Sequence, residues 1–275
     1  MSKTFGREKE KAPHIVRSSF GERLKEAFVE LGPTFIKFGQ LLSDRKDIIP
    51  GHVLKELEKL QDKVPPFPHE QAIAIVEEQL EQPIDSLFLR FDQEPDAAAS
   101  LAQVHRAMLP TGKPVAVKIK RPGIDAQIEA DIQIMHHLSH FVDHNTSYFN
   151  VISAQEIVKE FEQQILKELD FVEEFLSLKR FKEIYHNGET IIVPDVYDEY
   201  RSRDILVMEY IHGKKVSEVI EERDSRFDLK LLNRHNADFI MSQLFINGYF
   251  HADPHPGNFL VVEGNILCYI DFGMV

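Results

Sequence analysis

An α+β fold is expected for this chain, and three observations lead to it. Residues 21–82 place apolar side chains at helical spacing. From about Leu87 to Tyr210 the pattern changes to short β-type runs surrounding two helical stretches, about 124–145 and 151–186. After Gly213 come two more helices, the second about 228–247, then a loop rich in proline and histidine and a last pair of short strands ending at Asp271.

Each block follows from local chemistry. In the first, Leu24, Phe28 and Leu31 share one face, as do Val53, Leu57 and Leu60, and the run Val64-Pro65-Pro66-Phe67-Pro68 sets off a third helix. In the second, the β-type runs are Leu101–Leu109, Pro114–Lys120, Ile191–Val196 and Ile205–Tyr210. The first two of these flank Pro110-Thr111-Gly112-Lys113 and read as a hairpin. The expected organisation is a tail at 1–20, a helical extension at 21–86, a sheet with inserted helices at 87–212 and a final region at 213–275.

Composition narrows the function. With 275 residues and 43% hydrophobic content, the chain can bury a proper core. Lys plus Arg number 32 against 45 Asp plus Glu, a formal charge of −13 that repels nucleic acid and anionic lipid and favours a basic substrate or a metal-complexed anion. The single cysteine, Cys268, lies in an apolar run and excludes an internal disulfide, so a reducing cytoplasm is expected. No stretch approaches the roughly 20 apolar residues of a membrane-spanning helix, and residues 1–20 lack the apolar centre of a signal peptide.

The chemistry concentrates near the C-terminal end. His251-Ala252-Asp253-Pro254-His255-Pro256-Gly257-Asn258 is followed, thirteen residues past Asn258, by Asp271-Phe272-Gly273. In kinase-type phosphoryl transfer, a catalytic-loop Asp positions the attacking hydroxyl, an Asn holds Mg²⁺, and the Asp of D-F-G holds the bridging Mg²⁺. Asp253, Asn258 and Asp271 occupy those positions, and their hard oxygens suit Mg²⁺ on ATP phosphates. A transition-metal site of His251, Asp253 and His255 is the rival reading; against it, two prolines constrain the loop. His251 and His255 are expected to orient the loop by hydrogen bonds.

Upstream, Val115-Ala116-Val117-Lys118 matches the kinase strand whose lysine touches the α- and β-phosphates. Where a kinase has its glycine loop, this chain reads Ala97-Ala98-Ala99-Ser100, predicting a stiffer, altered phosphate cradle; a helix start capped by Asp96 is the alternative. Glu168, Glu173 and Glu174 are all candidates for the carboxylate that pairs with Lys118. Leu206-Val207-Met208-Glu209-Tyr210 reads as the strand and hinge that meet the adenine, with backbone groups from Glu209 to Ile211 bonding the base. These features make the expected fold protein-kinase-like.

Lys37-Phe38-Gly39-Gln40, Ala97–Ser100, Lys118, Glu168-Leu169-Asp170, the loop from His251 to Asn258 and Asp271-Phe272-Gly273 together resemble the UbiB (AarF) family, in the family's order, over about residues 20–275. The K-x-G-Q run and the alanine loop are its most specific parts, since ordinary protein kinases lack them. The resemblance implies a kinase-like fold with an N-terminal helical extension packed over the active site. Lys37 would act at the γ-phosphate, with Gln40, Glu168 and Asp170 sharing that arrangement and Glu174 pairing with Lys118. It further implies ATP and Mg²⁺ as cofactors, an isoprenoid lipid or small-molecule acceptor, a link to ubiquinone metabolism and a peripheral place at a membrane. This sequence departs from the family by ending at Val275, so the C-terminal lobe is expected to be incomplete.

Three functions stand at this point: an atypical kinase or ATPase, a small-molecule phosphotransferase of the aminoglycoside or choline kinase kind, and a nucleotide-binding module without turnover. Lys37–Gln40 and Ala97–Ser100 argue against the second.

Overall fold

The computed structural model describes residues 19–60, 64–145, 153–185, 189–253 and 255–275. Most of the tail at 1–20, residues 151, 152 and 186 at the ends of the long predicted helix, and Pro254 of the loop lie outside these. The chain forms two compact units, Met1–Gln61 and Asp62–Val275.

The first unit holds helices α1 (Phe20–Leu31), α2 (Pro33–Asp44) and α3 (Gly51–Leu57). Ser19 caps α1 through a reciprocal capping box with Glu22. Gly32, at φ 99°, lets the chain turn sharply into α2, which opens on Pro33. Phe28, Phe35, Ile36, Leu42, Val53, Leu57 and Leu60 form the core. Leu31, expected on the same face as Phe28, is instead 52% exposed, because it is the last residue of α1 and the chain leaves the packed seam there. Gly39 has a packing reason to be glycine: a Cβ there would lie 2.4 Å from Leu60 Cδ1 and 2.7 Å from Phe28 Cδ2. Beside it, Gln40 donates from Nε2 to the Leu60 carbonyl at 3.4 Å.

The second unit opens with α4 (His69–Leu80) and α5 (Ile84–Leu87), followed by strands β1 (Arg90–Phe91), β2 (Ala97–Ala98), β3 (Ala102–Met108) and β4 (Pro114–Lys120). Then come α6 (Ile124–Asn145), α7 (Ala154–Glu168), α8 (Phe171–Ile184), β5 (Ile191–Ile192), β6 (Val196–Arg201) and β7 (Ile205–Glu209). The chain closes with β8 (Lys214–Lys215), α9 (Val216–Glu222), α10 (Leu229–Ser242), β9 (Phe259–Val262) and β10 (Ile266–Tyr269).

One sheet runs β1-β3-β4-β7-β6, antiparallel, with β2 also laid on β3; the other runs β5-β10-β9-β8. Strand periodicity divides the first sheet's faces. Val115, Val117, Ile119, Ile205 and Val207 pack beneath Ala72 and Val76 of α4 and Leu87 of α5. The alternate residues Leu206 and Met208 join Phe171, Phe175, Leu178 and Phe181 of α8. Burial on both faces explains why β7 reads as an unbroken apolar run.

Two predicted elements divide. The helix expected over 151–186 breaks at Leu169–Asp170, where the Asp170 carboxylate accepts from the Val172 N–H at 3.1 Å and caps α8. The strand expected over Ile191–Val196 is interrupted at Pro194, which has no N–H to donate. Ile191–Ile192 pairs with β10 and Val196 with β7, so the two halves serve different sheets. The alternative of a helix at Ala97–Ser100 is excluded by the β2–β3 pairing, Ala97↔Val104 and Ala98↔Gln103. Among the described residues, no helix is long and apolar enough to cross a membrane.

A buried polar chain braces β3. Gln103 receives the Phe67 N–H at 3.0 Å and donates to His105 Nε2 at 2.8 Å, and His105 Nδ1–H donates to the Asp92 carbonyl at 2.9 Å. The bond from Gln103 requires an unprotonated Nε2 and therefore neutral His105. Burial lowers its pKa, with His69 adding to the effect and the Asp92 carbonyl opposing it.

Two outcomes follow for stability. Gly39→Val drives a branched side chain into the Phe28 ring and is expected to cost about 1–3 kcal/mol in urea unfolding. Below the ordinary histidine pKa of about 6.5 the unfolded chain takes up a proton that folded His105 refuses. Stability is therefore expected to fall as pH drops through that range, and the His105→Gln variant to lose part of the slope in melting temperature against pH.

Candidate active site

The site is assembled around α8. Phe171, Glu174, Phe175, Leu178 and Phe181 lie along one buried stripe of that helix, at helical spacing. Glu174 is thus a carboxylate set inside an apolar face, while Glu173 beside it is exposed. Glu174 Oε2 receives Lys118 Nζ at 2.7 Å, and its side chain is 4% exposed. Its other oxygen faces the N–H of Phe272 at 3.5 Å. One carboxylate therefore joins the strand lysine to the D-F-G segment. Lys118 Nζ also lies 5.1 Å from the centre of the Phe171 ring.

Lys118 lies among carboxylates. Burial disfavours its ammonium, but Glu174, Asp271 and Glu168 outweigh that and hold its pKa above the ordinary lysine value. Burial pushes the Glu174 carboxyl up, and the nearby Asp271 adds to it.

The C-terminal loop is tied to the D-F-G segment by His251. Its Nε2–H donates to the Asp271 carbonyl at 2.5 Å, and its Nδ1 accepts from the Asp253 N–H at 3.1 Å. Both ring nitrogens are committed to these bonds, and His255 Nδ1 accepts from the Gly257 N–H at 3.2 Å. The rival transition-metal reading of His251, Asp253 and His255 therefore loses the His251 imidazole. Among the described residues, no cluster of His, Cys, Asp or Glu forms a ready-made metal cage.

Asn258 Nδ2 donates to Asp253 Oδ2 at 2.8 Å and to the Asp253 carbonyl at 3.4 Å, bracing the carboxylate. Asp271 Oδ1 accepts from the Gly273 N–H at 3.0 Å. Magnesium retains water and takes only a carboxylate or two beside substrate phosphates. The amide oxygen of Asn258 and the carboxylate of Asp271 have the chemistry for that, so the residues present fit MgATP.

Across the first sheet, Ala97, Val104 and Lys118 stand in register, which sets the alanine loop one strand away from the lysine. The loop is a tight turn closed by the Ala99 N–H on the Ala102 carbonyl at 2.8 Å, with Ser100 buried. No residue from Ala97 to Ser100 has positive φ. Alanine is therefore accommodated without the strain that a glycine-requiring turn would impose.

Asp170 caps α8 and pairs with Arg203 Nε at 3.2 Å. At the expected hinge, the Glu209 N–H donates to the Asp195 carbonyl at 2.8 Å and the Tyr210 N–H to the Pro114 carbonyl at 3.1 Å. Both are engaged within the protein, so these two groups, expected to be free for a base, are not. Lys37 and Gln40 belong to α2 of the first unit.

Sequence reasoning did not single out Arg121, whose guanidinium bonds the alanine loop. It follows β4 directly, just past Lys118, and that proximity was the available signal. Glu174, which the UbiB resemblance implied as the partner of Lys118, also sits in the Phe171–Phe175–Leu178 stripe.

Comparison with known proteins supports a protein-kinase-like fold. Residues 59–275 match the ABC1 atypical kinase-like domain. The protein named probable protein kinase UbiB of Marinobacter nauticus is 38% identical over 261 residues, covering 94% of this chain and 48% of that protein. The protein of the same name from Pseudomonas paraeruginosa is 40% identical over 241 residues, covering 88% and 45%. The chain thus spans just under half the length of these curated relatives. A solved structure of Rv3197 with erythromycin, from Mycobacterium tuberculosis, is similar with a TM-score of 0.66 at 27% identity, covering 92% of this chain and 63% of that one.

The ion pair makes a measurable demand. Lys118→Met and Glu174→Gln each leave a buried charge without its partner and are expected to destabilise the chain by about 3 kcal/mol or more. The double variant should recover about 1–3 kcal/mol relative to their sum in urea unfolding. Simple additivity would show that the two charges are not coupled.

Proposed function

This chain belongs to the ABC1 atypical kinase-like family, and from that premise we propose that it binds ATP with Mg²⁺ and carries out phosphoryl chemistry as an atypical kinase or ATPase of the UbiB type. The observation that carries the reading is the double engagement of Glu174, with Lys118 on one oxygen and the Phe272 N–H against the other. In protein kinases the lysine–glutamate pair and the D-F-G aspartate must both be in place for transfer, and here one buried side chain aligns them.

The roles follow from the chemistry. Lys118 neutralises the α- and β-phosphates. Asn258 and Asp271 would hold the metal, which screens phosphate charge when bound. Asp253, braced by Asn258, orients the attacking hydroxyl or water and accepts its proton. The turn from Ala97 to Ser100 lies over the phosphates, and the backbone at Glu209 to Ile211 flanks the base. The likeness to the UbiB family extends the proposal to an isoprenoid lipid or small-molecule acceptor, a role in ubiquinone metabolism, and a cytoplasmic site of action at a membrane surface.

The test is thermal unfolding with and without MgATP. A hundredfold excess over Kd is expected to raise the melting temperature by roughly 5–10 °C, only with magnesium present, and the rise should vanish in Lys118→Ala and Asp271→Asn. Phosphate release that Asp253→Asn abolishes while the thermal shift persists would separate turnover from binding. A cooperative melt that nucleotide leaves unmoved would overturn the proposal.

A further inference from the structure

We propose that Arg121 is the positioning residue of the alanine loop, locking its backbone into one conformation before nucleotide arrives; this rests on the reading of Ala97–Ser100 as the phosphate loop. Three consecutive loop carbonyls are held by this one residue. The guanidinium donates from Nη2 to Ala99 O at 3.0 Å and from Nε to Ser100 O at 3.2 Å, and the Arg121 N–H donates to Leu101 O at 2.8 Å. Nη2 also reaches Pro65 O at 3.1 Å, and the guanidinium carbon lies 5.5 Å from the centre of the Phe67 ring.

The Phe67 backbone is in turn gripped by Gln103, a fully buried side chain of β3. The loop and the segment at 64–68 are therefore anchored on the β3–β4 pair through two polar side chains, Gln103 on β3 and Arg121 just past β4.

The consequence comes from peptide geometry. A trans peptide is planar, with its C=O and N–H pointing in opposite directions. Drawing the carbonyls of Ala99 and Ser100 onto the guanidinium turns the N–H groups of Ser100 and Leu101 away from it, so the loop's amide dipoles are set in advance. Dipoles fixed before a phosphate arrives cost no reorganisation when it binds. Only arginine offers donors in a rigid planar fork; the ammonium of lysine is a single point that cannot reach Ala99, Ser100 and Pro65 together.

The experiment uses the full chain with Arg121→Ala and Arg121→Lys. Hydrogen exchange of the unliganded protein is expected to quicken at the amides of residues 99–102 in Arg121→Ala, while β4 keeps its protection. Thermal titration with MgATP is expected to show affinity weakened about tenfold in Arg121→Ala, with Arg121→Lys between it and the wild type. Should Arg121→Ala fail to fold, Arg121→Lys carries both readouts. Unchanged loop protection overturns the proposal, and so does a lowered melting temperature with unchanged MgATP affinity, which would mark Arg121 as structural only. A wild type without any magnesium-dependent response to nucleotide sinks the proposed function and this inference with it; a wild type that responds while the variants respond equally sinks this inference alone.

Discussion

The carboxylate of Glu174 is the constraint on which the second unit turns. Removing a charge from water costs several kcal/mol unless partners replace the lost hydration, and Glu174 is almost wholly buried. Its partners come from the two sheets: Lys118 from β4 of the first, and the Phe272 N–H from the segment that leaves β10 of the second. A shift of α8 against either sheet would strip this carboxylate of a partner, so the helix is held in place and both candidate motifs with it. Packing acts in the same direction. Phe171, Phe175, Leu178 and Phe181 of α8 share one core with Leu206, Met208, Tyr269 and Phe272.

Supports behind this pair explain residues that touch no phosphate in the proposed scheme. Asp170 starts α8 four positions before Glu174, and its cap determines where the helix begins. His251 couples the backbones of Asp253 and Asp271, so the two candidate catalytic aspartates are not independently placed. Phe272 lies at full burial against Phe181 and His251. Glu174, Asp271 and Glu168 together hold the Lys118 ammonium charged despite its burial.

Parts of this architecture were legible residue by residue. Val115, Val117 and Ile119 alternate with Lys118 and Lys120, and the strand they predict matches β4 from Pro114 to Lys120. The helix at 124–145 matches α6. Other features were hidden because their signals are ambiguous over short distances. The family motif implies Asp170, but nothing local in the helical run signals that the chain turns there and that Asp170 caps the next helix. Pro194 marks an interruption, but nothing local says that the residues on its two sides belong to different sheets. The hinge N–H groups of Glu209 and Tyr210 looked available for a base, and only the pairing of β7 with its neighbours shows where they are spent.

By itself the sequence determined the periods, the turn chemistry and the donor types: which strands alternate, where glycine or proline breaks an element, and that carboxylate and amide oxygens stand at kinase-type spacing. These are short-range properties, decided by covalent geometry and by side chains a few residues apart. Residue patterns left Glu168, Glu173 and Glu174 open, the UbiB resemblance pointed to Glu174, and tertiary structure decided that pairing together with how His251 shares its two nitrogens and which side chain holds the alanine loop. Those choices depend on the rotation and docking of α8 and on the burial that follows, and desolvation falls on a charge according to what packs around it rather than what precedes it in the chain.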